Sequence, residues 1–390
     1  MKIENVKSHL VYSKGHRAGM IGGKNWLFVK VETDEGIHGW GEAYTQLDRD
    51  RAIQVHVEEL GRYLVGRDPF NIKHTTQMAY DDYAGRRGSM EFYCALSGIE
   101  QAMWDIVGKK LGVPVYQLLG GACRDRIRVY ANGWYGGAKD PEDYATMARE
   151  VVEQGFTALK FDPFPGPWRL YVDREIEEAA VDNVAAVRGA VGENVDILIE
   201  VHRRLSPMNA VRMAKQVERF RPFWYEEPVP SENLRALAEV RSEIGVPVVT
   251  GEALYGKAAF REVFDSRAAD IINPDVANCG GILELKEIAA MAEPHYVAVS
   301  PHNYNSTSVA LASTVQVSAC MPNFLITEYF INFAEKANDI AVEPIEVKDG
   351  YIDLPRAPGL GIELDEGKLE AEGYFRPPPR GLRTYEEEGP

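Results

Sequence analysis

Three glutamates stand at equal intervals: Glu200 in DILIEV, Glu226 in PFWYEE and Glu252 in PVVTGE, each 26 residues from the next. Each closes a short apolar run, where a buried strand would be leaving the core. One glutamate in such a place is ordinarily a solvated loop residue. Three at a repeated interval would repel one another in a shared mouth unless a cation sat between them. Three carboxylates, with waters and a substrate oxygen completing the shell, suit a hard octahedral ion, and Mg2+ is the natural choice. Zinc favours histidine or thiolate ligands, which this trio does not supply. Asp275 in DIINPD and His302 in SPHNYNS follow in order. A carboxylate bonded to one ring nitrogen fixes the imidazole tautomer and raises its basicity, which suits His302 to be a general base. His202 lies two residues beyond Glu200, and alternation along a strand would point both side chains the same way.

Positioning these groups requires elements that end side by side. From 126 to 335 the chain alternates the apolar runs IRVYAN, ALKFD, DILIEV, PFWYEE, PVVTGE, DIINPD, YVAVSP and NFLITE with seven amphipathic stretches of helical period. Eight strands with seven intervening helices predict an α/β fold, a TIM-like (β/α) barrel. An open doubly wound sheet would show a G-x-G-x-x-G turn after its first strand, and YANGWYGGAKD has none. Barrel chemistry sits at the C-terminal strand ends. Strands two to eight end in Lys160-Phe161-Asp162, Glu200 with His202, Glu226-Glu227, Glu252, Asp275, His302 and Glu328.

Residues 1–125 read as an α+β capping unit, with strands around the turn TDEGIHG and helices in RAIQVHVEELGRYLVG and SGIEQAMWDIVGKKLG. Residues 336–390 are turn-rich and are expected to pack back on that unit. Two glycine-containing polar stretches of the cap, SKGHRAGMIGGKNW and DDYAGRRGSM, suit a lid over the barrel mouth. Within them His16, Arg17, Tyr83, Arg86 and Arg87 are candidates to meet substrate hydroxyls or a second carboxylate, and Gly166-Pro167-Trp168 is a further segment able to reach the site.

The chain has 390 residues, 45% of them hydrophobic and 26% charged, as in ordinary globular proteins. A net charge of −16 argues against a nucleic-acid or anionic-membrane partner. The four cysteines form no Cys-x-x-Cys pair and suggest reduced thiols. The N-terminal MKIENVKSHLVYSK lacks the apolar core of a signal peptide. No run approaches the ~20 apolar residues of a membrane span. A cytoplasmic location is expected.

The whole chain resembles the enolase superfamily, in its mandelate racemase branch, through Glu200, EEP at 226–228, GE at 251–252, Asp275 and His302. The resemblance implies a modified (β/α)7β barrel under an N-terminal α+β cap. It implies Mg2+ on the three glutamates and an Asp–His dyad that abstracts the proton beside the carboxylate of a small-molecule substrate. It also implies a homo-oligomer. Lys160 and Glu328 would assist from opposite sides, Glu328 as a hydrogen-bonding acid if protonated. Racemases of the branch are similar in a Lys-x-Lys after the second strand; here Lys160-Phe161-Asp162 puts an aspartate in the second place. That substitution argues against two-base racemisation and leaves Asp162 to face the substrate. A lysine base on the later strands, as in muconate-type cycloisomerases, is absent too. His202 is similar to the histidine with which sugar-acid dehydratases protonate a departing hydroxyl, and YANGWY, ALKFDPF and DILIE-x-H look most like gluconate/galactonate dehydratases. The implied reaction removes the C2 proton of an aldonate through an enediolate and expels the C3 hydroxyl, giving a 2-keto-3-deoxy acid. Galactarate or another acid, an epimerase or racemase reaction, and a non-catalytic binding role stay open. Arg203 and Arg204 have no role in this reading.

Overall fold

A computed structural model describes residues 1–13, 23–165, 170–304, 306, 308–376, 378–379 and 382–388. Its cap begins with β1 (Ile3–Ser13), which pairs antiparallel with β2 (Lys24–Thr33), and β2 pairs with β3 (His38–Ala43). β2 is buried along almost its whole length, because it is the central strand. Against the sheet pack α1 (Asp50–Arg62) and α3 (Met90–Leu111), and α2 (Ile72–Met78) and α4 (Val115–Leu118) pack on α3. The stretch DDYAGRRGSM opens inside a π-helical turn, Ala79–Tyr83, which continues α2. α3 starts where the Ser89 hydroxyl accepts the Phe92 N–H and stops at Gly112, whose φ of 72° few other residues adopt. It is buried on most faces because it lies between the cap sheet and the barrel.

The barrel follows: β4 (Arg126–Asn132), α5 (Pro141–Glu153), β5 (Ala158–Phe161), α6 (Arg174–Val191), β6 (Asp196–Glu200), α7 (Pro207–Val217), β7 (Trp224–Glu226) and α8 (Leu234–Glu243). Then come β8 (Val248–Thr250), α9 (Gly256–Ser266), β9 (Ile271–Ile272), α10 (Ile282–Ala292), β10 (Ala298–Val299), α11 (Val309–Ala319) and β11 (Thr327–Phe330). The eight strands are parallel in the order β10-β9-β8-β7-β6-β5-β4-β11. Bonds from Val299 N–H to the Asn323 carbonyl (2.9 Å) and from Leu325 N–H to the Val299 carbonyl (2.8 Å) close the ring. All eight apolar runs and all seven helical stretches are where periodicity puts them.

Inside the ring, Tyr130, Ala158, Leu198, Trp224, Val249, Ile271 and Ile326 form one apolar cluster. Two residues further along their strands come Asn132, Lys160, Glu200, Glu226, Gly251, Asn273 and Glu328. The period of two places these on the same inward face, one layer higher. The polar mouth is thus the top layer of the barrel interior.

After β11 come α12 (Ala334–Ile340), β12 (Tyr351–Asp353) and α13 (Glu366–Glu372). β12 pairs antiparallel with β4, while Leu360 N–H donates to Asp105 (2.8 Å) and Trp40 Nε1 to Glu363 (3.1 Å). Lys30 and Glu366 form a further ion pair, so the tail ties barrel to cap.

The cap also supplies a helix cap to the barrel. Buried Glu100 of α3 accepts the N–H groups of Ile282 (2.7 Å) and Leu283 (3.0 Å) at the start of α10. Burial pushes its carboxyl up to about 7 from an ordinary 4.5. An acid raised on folding favours the native state below the unfolded value, and loses that advantage as pH rises through the folded one. The difference is on the order of 3 kcal/mol between pH 4.5 and pH 7. Thermal midpoints of wild type and Glu100→Gln measured from pH 5 to 8 are expected to diverge, the wild type losing stability more steeply. Parallel slopes would refute the assignment.

Candidate active site

Register places the glutamates. Glu200 and Glu226 are direct partners across β6 and β7, and Glu252 follows two residues after β8. Gly251 between them has φ 141°, and a Cβ there would lie 2.9 Å from the Phe260 ring and 3.1 Å from Asn273 N, so only glycine lets the chain pass. One oxygen of each glutamate lies within 4.8 Å of the other two. Glu200 Oε2 and Glu226 Oε2 are buried and accept no hydrogen bond among the described residues. Buried carboxylate oxygens at this spacing that accept no hydrogen bond can hold a metal.

Lys160 is 1% exposed, and its ammonium lies 2.7 Å from Glu226, 3.1 Å from Glu328 and 3.3 Å from Glu200. Burial opposes its charge, but Glu226 and Glu328 outweigh burial and hold it protonated. Burial, reinforced by Glu200, raises the Glu226 carboxyl. Burial works against ionised Glu252 as well, yet Arg203 and His302 bring it well below the usual carboxylate range.

Two imidazoles flank the trio, each bonded to its own carboxylate. His302 Nδ1 is 2.7 Å from Asp275 Oδ2, and its Nε2 is 3.1 Å from Glu252 and 3.5 Å from Glu328. A parallel bridge between Asp275 and His302, just beyond β9 and β10, sets their register. Burial disfavours the imidazolium, but Glu328, Glu252 and Asp275 overcome it and raise the pKa. His202 Nδ1 is 3.0 Å from Asp162 Oδ2, and Glu200 and Asp162 likewise outweigh burial to raise it.

His202 reaches this place by a different route from strand alternation. β6 ends at Glu200, and His202 (φ 54°) and Arg203 (φ 60°) form a left-handed turn. The turn is locked by Arg203 N–H to the Glu227 carbonyl (2.7 Å) and His202 N–H to Glu200 Oε1 (2.7 Å). Asp162 is engaged by His202 and Arg204, and its other oxygen accepts the Phe164 N–H (3.0 Å), so it serves its neighbours before any substrate. Lys160 and Glu328 are an ion pair on one side of the mouth and do not stand opposed. Burial works to raise the Glu328 carboxyl, but Lys160, His302, Asn303 N–H and Asn132 Nδ2 outweigh it and hold it below its ordinary value.

In the cap, Tyr83 bonds His56 (3.2 Å), and Arg86 pairs with Asp81 (3.0 Å) on the exposed surface. Arg87 is exposed as well. His16, Arg17 and Gly166-Pro167-Trp168 lie outside the described residues. Among the described cap residues, Tyr44 reaches the dyad, its ring centroid 6.4 Å from that of His302. Asn132 and Asn273 were not singled out from sequence: Asn273 donates to Glu226 (2.9 Å) and accepts the Glu252 N–H (3.1 Å). Counting two residues from the inward apolar layer would have found both.

Fold and site together define a capped (β/α)7β barrel with a carboxylate-rich centre at its strand ends. Residues 143–368 match the enolase C-terminal domain-like family model, and residues 17–120 match that of the mandelate racemase/muconate lactonizing enzyme N-terminal domain. The chain belongs to the mandelate racemase/muconate lactonizing enzyme family of the enolase superfamily. It is 37% identical over 363 residues to a D-gluconate dehydratase of Thermoproteus tenax, covering 93% of this chain and 72% of that one. It is 38% identical to a D-galactonate dehydratase of Verminephrobacter eiseniae, covering 87% and 89%. A mandelate racemase/muconate lactonizing enzyme structure from Sulfitobacter superimposes with a TM-score of 0.88 at 33% identity, over 96% of both chains. No helix among the described residues is long and apolar enough to cross a membrane.

Arg203 explains how Glu252 stays ionised: its guanidinium bonds Glu252 and lies 3.6 Å from buried Glu227. Removing it takes away the cation that these two carboxylates share. Arg203→Ala is expected to lower the unfolding free energy by about 3 kcal/mol in urea titrations. Arg203→Lys should recover less than half of that, because a shorter and more strongly hydrated ammonium replaces the guanidinium at a partly buried site.

Proposed function

We propose that the protein is a Mg2+-dependent dehydratase of a sugar acid, an aldonate of the gluconate or galactonate type. The observation that carries this reading is the pair of carboxylate-bonded histidines on either side of one acidic trio. A single base suffices for exchange of the C2 proton, and a second proton-transfer group is what elimination adds. The names of the relatives at 37% and 38% identity support the same reading.

Glu200, Glu226 and Glu252 would hold Mg2+, an all-oxygen set that suits it. When bound, the ion supplies positive charge beside the substrate carboxylate, where negative charge accumulates as the C2 proton leaves. His302 Nε2 takes that proton, while Asp275 holds Nδ1–H and stabilises the imidazolium. Lys160 adds a fixed positive charge to the same region. The C2–H electron pair passes into an enediolate and then forms the C2=C3 bond as the C3–O bond breaks. His202 delivers a proton to that leaving oxygen, which departs as water. The enol tautomerises to the 2-keto-3-deoxy acid. Asp162 and Arg204 orient His202, and the cytoplasm is the setting we assign to the enzyme.

The test follows keto-acid formation and C2 deuterium exchange in a sugar-acid library with Mg2+. His302→Asn is expected to lower both by at least about 10³-fold. His202→Asn is expected to abolish keto acid and keep exchange. Exchange that survives in His302→Asn would remove His302 as the base.

A further inference from the structure

The dyad stands on the two loops that follow β9 and β10. These strands have two residues each, so few ladder bonds fix this sector of the ring. The loops are held from above by cap groups to which the proposed reaction gives no part. On the Asp275 loop, the Ala277 carbonyl accepts Tyr44 N–H (3.0 Å), and Gly280 N–H donates to Ser97 Oγ (2.9 Å). On the His302 side, Glu42 of β3, 3% exposed, accepts Ser306 Oγ (2.6 Å), Ser308 Oγ (3.3 Å) and the Ala310 N–H (2.9 Å).

Gln101 of α3 joins the two sides. It is 0% exposed. Its Nε2 donates to the carbonyls of Glu42 (2.9 Å) and Val276 (3.4 Å), the latter next to Asp275. Its Oε1 accepts the Glu42 N–H (3.3 Å) and Ser313 Oγ (3.0 Å) of α11, the helix that follows the His302 loop. One amide therefore ties β3, the Asp275 loop and α11 together.

We infer that Gln101 and Glu42 are positioning residues for proton abstraction: the cap holds both dyad loops in register and so sets the 2.7 Å bond between Asp275 and His302. The inference rests on His302 acting as the base. A displacement near 1 Å costs about 100-fold in rate. An ordinary domain interface would instead satisfy its polar groups and add stability, leaving the dyad bond as it is.

The discriminating readout needs no substrate. In the full-length protein, the His302 Nδ1 proton is followed by low-field proton NMR, assigned by its loss in His302→Asn, and crystal structures give the Asp275–His302 distance. Gln101→Leu is expected to shift or broaden that resonance and lengthen the contact. It should lower kcat about 100-fold with KM within about twofold, while Mg2+ binding by calorimetry is unchanged. Ser313→Ala, which removes the single bond to Gln101, and Ser97→Ala, which removes the Gly280 N–H bond together with one to the Tyr93 carbonyl inside α3, should give smaller shifts of the same kind and about a tenfold loss of kcat. Glu42→Gln should fall between. An unmoved resonance and distance in the folded variants would overturn the inference, whatever happens to their melting temperatures. If the wild type makes no keto acid yet the variants still shift the resonance, the dehydratase reading fails and the positioning does not.

Discussion

Repulsion among buried carboxylates is the constraint on which the rest of this site depends. Glu200, Glu226, Glu227, Asp275 and Glu328 are all 1% exposed or less, and Glu252 and Asp162 border them. Desolvation penalises each, and proximity penalises them together. The barrel answers with fixed counter-charges. Lys160 serves three carboxylates, Arg203 two, and Arg204 pairs with Asp162. Backbone and amide donors take most of the remaining oxygens. One oxygen each of Glu200, Glu226 and Glu227 accepts no hydrogen bond among the described residues, and the first two belong to the trio that can hold a metal.

The same accounting explains the backbone. Three non-glycine residues at the ends of β6 and β7, His202, Arg203 and Glu227, have positive φ. Such conformations cost about 1 kcal/mol or more apiece and persist where the surroundings over-determine them. Here they are over-determined by side chains and backbone at once. Val201, Arg203 and Leu205 donate N–H bonds to the carbonyls of Glu226, Glu227 and Pro228, so the two strand ends continue as a zipped pair of loops. Glu227 in turn accepts Thr250 Oγ1 (2.8 Å) and Gly251 N–H (2.9 Å), which aims the chain that carries Glu252. The acidic pair Glu226-Glu227 therefore divides its work, one side chain turned into the mouth and the other bracing the next strand.

Stability and function are coupled across the cap in the same way. Glu100 completes a barrel helix, Glu42 gathers the start of α11, and Tyr44 packs beside His302. None of these groups belongs to the barrel, yet each acts on the sector that carries the dyad. A cap that only covered the mouth would not need buried carboxylates reaching into barrel helices.

The alternation of strands and helices, the barrel class and the order of groups at the strand ends were legible in the sequence, because each rests on a local period. An inward residue recurs every second position, and one strand–helix unit follows another along the chain. The equal spacing of Glu200, Glu226 and Glu252 is that repeat made visible. β1 was less legible, since its burial alternates irregularly, and DDYAGRRGSM concealed a helical turn behind glycines and charges. What no local period contains is partnership. His202 meets Asp162 across 40 residues, Arg203 meets Glu252 across 49, and Glu42 meets α11 across 268. The sequence by itself determined which side chains arrive at the mouth. Only the closed barrel, with the cap docked on it, decided which of them neutralise, orient or brace one another, because those energies depend on distances that exist only once the ring has closed.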